Sequence, residues 1–79
     1  MKEGFVVSGR FRKAVFSAIA SGDSSIETII KKERLQRHQA EGALKELVES
    51  GLVEDRDGKI ALTEEGEKTL AALKKERMI

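Results

Sequence analysis

The chain has 79 residues, no Cys and a formal net charge of +1. This length allows one small hydrophobic core and excludes an enclosed substrate cavity with a separate supporting domain. The near-neutral charge means that the chain lacks a strongly basic composition, which is the simplest sign of a nucleic-acid-binding protein. The absence of Cys excludes disulfides and thiolate metal sites. We therefore expect a single domain over residues 1–79, which is not an enzyme and has no cofactor or metal.

The first 22 residues predict a strand followed by a helix. The segment 5–7 is short, apolar and β-prone, which favours a strand. Ser8 is the expected N-cap of a helix that runs to about Ala20 and ends at Ser21 and Gly22. The three aromatic residues of the chain are expected in the core and are Phe5, Phe11 and Phe16.

Two helices separated by a short turn come next. Ser24 or Ser25 is the expected N-cap of the shorter helix, which ends in the polar run 31–34. Leu35 is a lone apolar residue in the turn. The longer helix is expected at about 36–50, with one apolar stripe. The stripe consists of Ala40, Ala43, Leu44, Leu47 and Val48.

After the longer helix, the spacing of the apolar residues is no longer helical. Gly51 ends the longer helix, and the β-prone runs 52–54 and 59–62 flank Asp57-Gly58, which is a strong hairpin signal. Thr63 is the expected N-cap of a last helix. The apolar side of this helix consists of Leu70, Leu73 and Met78.

The hairpin segment also has the spacing of a calcium-binding loop. Five positions of that loop are matched, by Asp55, Asp57, Gly58, Ile60 and Glu64. Val53 occupies the first position, where a ligating Asp is needed. We favour the hairpin, because both runs beside the turn are β-prone.

A short helix, a tight turn, a longer helix and a hairpin follow one another in this chain. In this order the chain resembles the winged helix-turn-helix transcription regulators, in particular small archaeal proteins and the MarR/ArsR-like group. The resemblance covers about residues 5–73 and rests on the segments 8–13, 29–35 and Leu62-Thr63-Glu64-Glu65-Gly66. It implies a mainly α fold with a small β-hairpin (α+β), in which a three-helix core carries a wing and a C-terminal helix. The position before Leu35 often holds Gly in this family and is Arg34 here.

The resemblance implies that the longer helix enters the major groove of double-stranded DNA while the hairpin touches the adjacent backbone. Arg is suited to guanine and Gln to adenine. Phosphate contacts depend on local charge, and residues 1–20 and 31–37 each carry a net charge of +3. The candidate DNA-binding residues are Lys31, Lys32, Arg34, Gln36, Arg37, His38, Gln39, Gly42, Lys45, Arg56 and Lys59.

The alternative hypothesis is a winged-helix module that binds another protein and not DNA. Glu41 on the longer helix and the acidic residues of the hairpin favour it, because they repel phosphates. As partners we expect double-stranded DNA and a second copy of the chain, which would bind through the C-terminal helix or the N-terminal segment. No small-molecule ligand is indicated.

Two features of the composition bear on the location of the protein in the cell and on the growth temperature of its source. No apolar run is long enough for a membrane span or a signal segment, so we expect a cytoplasmic protein without membrane contact. Asn is absent, and Glu and Lys dominate the charged residues, which is typical of proteins from thermophiles.

Overall fold

The computed structural model describes residues 2–78. Within them, helices and one antiparallel hairpin share a single core, which confirms the predicted α+β class. The helices α2, α3 and α4 form the centre, with α1 and α5 packed at one side and the hairpin following α4. The elements are α1 (Glu3–Ser8), α2 (Arg10–Ala20), α3 (Ile26–Glu33), α4 (Arg37–Glu49), β1 (Val53–Arg56), β2 (Lys59–Leu62) and α5 (Glu64–Lys75).

The strand predicted for residues 5–7 is wrong, because this segment lies in α1. The described sheet contains β1 and β2, and α1 forms its own backbone hydrogen bonds, such as the one from Val6 N to Lys2 O at 3.1 Å. Helical spacing lets Val6 enter the core completely, while α1 packs against α2 and α5. A run of three apolar residues fits a buried helix as well as a strand, so its pattern did not distinguish them.

Ser8 is not the N-cap of α2, as the sequence predicted. It is the last residue of α1, and Gly9 occupies the N-cap position without a side-chain hydrogen bond. The Ser8 hydroxyl donates to Phe5 O at 3.3 Å and accepts from Arg12 Nη2 at 3.0 Å. Ser8 therefore stabilises the bend between α1 and α2.

The core forms mainly where α2 crosses α4. Phe16 is fully buried between the helices, whereas Phe5 and Phe11 pack against the edge of the core. Two expected apolar positions are wrong: Val48 is 37% exposed on the edge of α4, and Met78 is 40% exposed beyond the end of α5. The buried apolar residues of α2 and α4 are Val15, Phe16, Ala18, Ile19, Ala40, Ala43, Leu44 and Leu47.

The turn between α3 and α4 is built from local hydrogen bonds. Ser25 begins α3 as predicted, because its hydroxyl accepts from Thr28 N at 3.3 Å. Arg34 ends the helix in the left-handed region, at φ 56° and ψ 42°. Leu35 N then donates to Ile30 O at 3.1 Å, which directs the Leu35 side chain against the core. The turn thus takes the usual shape without the glycine that favours it.

The hairpin is confirmed with the predicted turn residues. Val53 faces Leu62 and Arg56 faces Lys59, and the turn residues Asp57 and Gly58 both have positive φ angles, of 52° and 87°. Such a turn matches the natural twist of two antiparallel strands. The hairpin is also tied to the loop before α3, because Ile60 N donates to Ser24 O at 2.8 Å.

The hairpin leads directly into α5 through Thr63. The Thr63 hydroxyl accepts from Gly66 N at 3.1 Å and therefore caps α5 as predicted. It also donates to Gly51 O, and Thr63 N donates to Leu52 O at 3.1 Å. The start of α5 is therefore fastened to the entrance of β1.

Candidate nucleic-acid interface

The outer face of α4 lies opposite its buried apolar stripe and consists of His38, Gly42, Lys45 and Glu49. His38, Gly42 and Lys45 are all exposed there, because the buried stripe turns them away from the core. Gln36 and Gln39 have a structural task at the start of the helix, where Gln36 N donates to Gln39 Oε1 at 3.1 Å. Gln39 is half-buried as a result, and its side chain is less free than its position in the sequence indicated.

Gly42 lies in the middle of this face and has open space above it. A Cβ atom at Gly42 would meet no heavy atom within 4 Å outside its own neighbours. The backbone there is helical and does not need glycine, since Gly42 is not among the glycines with positive φ. Nothing in the folded chain therefore requires a glycine at this position.

Arg37, the first residue of α4, is held by two carboxylates. Its Nη2 lies 2.6 Å from Glu27 Oε2, and its Nη1 lies 3.2 Å from Glu41 Oε2. The hydrogen bond from Arg37 holds the pKa of the Glu27 carboxyl below its usual value, with smaller effects from the charges of Arg37 and Lys31. The same hydrogen bonds to Glu27 and Glu41 raise the pKa of Arg37.

The basic residues around the turn differ in what they contact. Lys32 Nζ lies 3.2 Å from Asp23 Oδ2 and 3.0 Å from Ser21 Oγ, so it is tied to the end of α2. Lys31 and Arg34 are exposed, and within residues 2–78 neither forms an ion pair. These two cations are free to meet an external anion.

The hairpin carries two of the predicted residues next to its tip. Arg56 and Lys59 face each other across the strands, and both are exposed. Arg56 Nη2 lies 3.4 Å from Glu54 Oε2, whereas Lys59 has no ion-pair partner in the described part of the chain. The tip itself is closed by Asp55, whose Oδ1 accepts from Gly58 N at 3.1 Å.

The start of α2 adds residues that the sequence analysis did not select. Arg10 and Phe11 line a shallow groove with Arg34 and Gln39, and a second groove runs from Phe11 to His38 and Gly42. The Arg10 guanidinium lies 5.8 Å from the centre of the Phe11 ring. The basic run at residues 10–13 was the available signal, but only the contact between α2 and α4 places it beside the outer face of α4.

Arg12 belongs to the same run but has a structural role. Its guanidinium lies 4.2 Å from the centre of the Phe5 ring, and its Nε donates to Phe5 O at 2.8 Å. Its Nη1 lies 3.3 Å from Glu46 Oε1. Arg12 therefore joins α1, α2 and α4 and is not available to a partner.

Comparison with known protein families identifies the family of this chain. Residues 12–79 match the sequence model of a family described as winged helix-turn-helix. The chain belongs to the winged helix-turn-helix family. In this family's terms, α3 and α4 are the helix-turn-helix and β1 and β2 are the wing. Comparisons with curated proteins and with solved structures gave no match.

Membership of the winged helix-turn-helix family indicates a DNA-binding regulator in general terms, and such domains typically bind DNA and do not catalyse reactions. Among residues 2–78, no group of three or more potential metal ligands lies together. Within the same residues, no helix is long and apolar enough to cross a membrane.

Proposed function

We propose that the protein is a sequence-specific regulator of transcription that binds double-stranded DNA. In this proposal α4 enters the major groove, and the wing lies on the adjacent backbone. The observation that carries it is the outer face of α4, which is polar, open at Gly42 and bordered by unpaired cations. Among the predicted residues, the cations without an ion-pair partner in the described chain are Lys45 on this face, Lys31 and Arg34 at the end of α3, and Lys59 on the wing.

The roles of the candidate residues follow from their surroundings. His38 and Lys45 would meet base edges or phosphates beside Gly42, where the missing side chain permits a close approach of the DNA. Arg37, Lys32 and Arg56 would contribute less, because a carboxylate beside each of them offsets part of its charge. Gln36 and Gln39 would keep the first turn of α4 in place.

The proposal predicts a moderate dependence of DNA binding on salt. Four unpaired cations correspond to a slope of about −4 when the logarithm of the binding constant is plotted against the logarithm of the salt concentration. Fluorescence anisotropy with a labelled random duplex measures this slope. Lys45→Ala is expected to weaken binding and to reduce the slope by about one.

The matched control is Lys74→Ala, which removes the same charge from an exposed position at the end of α5. It is expected to bind DNA like the wild type. Equal losses for Lys45→Ala and Lys74→Ala would contradict the placement of α4 in the groove. No binding by the wild type at low salt would contradict DNA binding altogether.

One observation favours the second candidate, a protein-binding module. α4 itself carries two basic and three acidic residues, and one of the basic residues, Arg37, is paired within the molecule. A helix with this charge suits a basic protein surface better than a phosphate backbone. The absence of DNA binding in the salt series would favour this candidate over the first.

The proposed complex contains two copies of the chain on a palindromic site, in contact through the outer surfaces of α1 and of the first two turns of α5. Leu73 is buried in the chain's own core and Leu70 packs against it, so the contact between copies is mostly polar. We expect a monomer in the absence of DNA and two copies on a palindromic duplex. Light scattering with and without the duplex measures both states.

A further inference from the structure

Arg37 occupies a position where the backbone alone does not favour a cation. It is the first residue of α4, and the partial positive charge of a helix N-terminus repels a guanidinium. The carboxylates of Glu27 and Glu41 offset this repulsion, because each accepts from one end of the guanidinium group. In the free protein, both outer nitrogens of Arg37 are therefore engaged.

The contact with Glu27 differs from the contact with Glu41 in what it joins. Glu41 lies one turn further along α4, whereas Glu27 lies in the first turn of α3, ten residues earlier in the chain. The pair with Glu27 therefore crosses between the two helices of the helix-turn-helix and draws the guanidinium toward α3. It is also the shorter of the two contacts.

This ion pair is open to solvent and can be displaced. The side chains of Glu27 and Arg37 are 63% and 54% exposed. Exposed pairs are weak because water and salt screen them, so a phosphate or a guanine edge can compete for the same donors. The competition has a cost, since the released Glu27 carboxylate then faces the DNA without its partner.

We propose that Glu27 is a positioning residue of the DNA interface, which acts through Arg37 and weakens DNA binding by competing for its guanidinium. This inference rests on the proposed function. It assigns a role to a residue of α3 that acts through its contact with Arg37. The lowered pKa of the Glu27 carboxyl agrees with a formed pair.

The expected effect of Glu27→Gln is tighter binding to duplex DNA by about 1.5- to five-fold, the range that corresponds to one exposed ion pair. Loss of any acidic residue near DNA also strengthens binding by reducing repulsion. Glu33→Gln is the matched control, because it removes the same charge from the same helix and Glu33 forms no ion pair within residues 2–78.

The deciding measurement is a double-mutant cycle of Glu27→Gln and Arg37→Ala, read by anisotropy with the same duplex. Glu27→Gln is expected to tighten binding more than Glu33→Gln does. In the Arg37→Ala background, the two Gln substitutions are expected to have equal effects. Equal effects in the wild-type background, or an undiminished Glu27→Gln gain in the Arg37→Ala background, would overturn the inference.

Two measurements without DNA separate this role from a purely structural one. Thermal unfolding of Glu27→Gln is expected to be unchanged or slightly lower in temperature, so stability does not rise together with affinity. Titration of the Glu27 carboxyl by ¹³C NMR is expected to give a lower pKa in the wild type than in Arg37→Ala. Equal pKa values would overturn the inference while leaving the proposed function intact, whereas no DNA binding by any variant would overturn both.

Discussion

Two helical glycines have opposite surroundings: Gly66 lies in the first turn of α5, and Gly42 lies in the middle of α4. Gly66 is buried where α5 passes the start of β1, and a Cβ atom there would collide with the Leu52 carbonyl oxygen. Gly42 is exposed and has nothing above it. The first glycine serves the fold, and we assign the second to the interface.

Gly66→Ala is expected to destabilise the protein by about 1–3 kcal/mol, because no side-chain rotation can relieve a contact with backbone. For a chain of this size, each kcal/mol lowers the unfolding temperature by about 4–8 °C. Gly42→Ala is the control and is expected to stabilise α4 by about 0.5–1 kcal/mol. Thermal unfolding followed by circular dichroism compares them, and equal shifts would contradict the assignment.

The Gly42→Ala variant also separates stability from binding. If DNA approaches α4 as closely as proposed, the added methyl group weakens DNA binding while the protein becomes more stable. Such an opposite pair of effects has no explanation in the fold, where the position is open. Unchanged DNA affinity would show that the closest approach lies elsewhere on α4.

At the scale of elements, the turn between α3 and α4 combines strain with charge at one residue. Arg34 holds a left-handed conformation that Gly adopts without penalty. Arg34→Gly is therefore expected to raise the free energy of unfolding by about 0.5–1 kcal/mol, after allowance for the greater freedom of Gly in the unfolded chain. It is also expected to weaken DNA binding and to reduce the salt slope by about one.

Arg34→Ala distinguishes the two contributions. It removes the same charge but keeps a Cβ atom in the left-handed conformation, so it is expected to lose DNA affinity without any gain in stability. Urea unfolding measures the stability of the two variants, and fluorescence anisotropy measures their DNA affinity. Equal stability of the Gly and Ala variants would show that the turn carries no strain at this position.

The elements predicted correctly are those with local signals. Ser25 and Thr63 cap their helices through hydrogen bonds to residues three positions later, and Asp57-Gly58 forms its turn from its own backbone angles. α1 was missed because a run of three apolar residues fits a strand as well as a helix, and because α5, one of the two helices that α1 packs against, is distant in the sequence. Local signals therefore predicted two caps and the hairpin turn, but they failed at Ser8, which ends α1 and does not cap α2.

The same division applies to the candidate site. The buried stripe of α4 determines which residues face outward, so the exposure of His38, Gly42 and Lys45 followed from periodicity. The pairing of Arg37 with Glu27 did not follow, because it depends on how α3 crosses α4 and on two side-chain conformations. The sequence pattern predicted which residues of α4 are exposed, but not which of the charged side chains already form ion pairs.

At the scale of the whole molecule, α1 completes the core although the family match begins after it, at residue 12. Val6 is fully buried, whereas Val48 on α4 is largely outside the core. Val6→Ala is expected to lower the free energy of unfolding by about 1–3 kcal/mol. Val48→Ala is expected to change it by about 0.5 kcal/mol or less, as is usual for surface substitutions. Urea unfolding measures both, and a neutral Val6→Ala would contradict a structural role for α1.

The packing of α1 against α5 also has a consequence for the newly synthesised chain. About 55 residues lie between the end of α1 and the start of α5. At a synthesis rate of about 5–20 residues per second, α1 waits for several seconds before its second partner exists. We therefore expect the centre formed by α2, α3 and α4 to assemble first and α1 to dock last, together with α5.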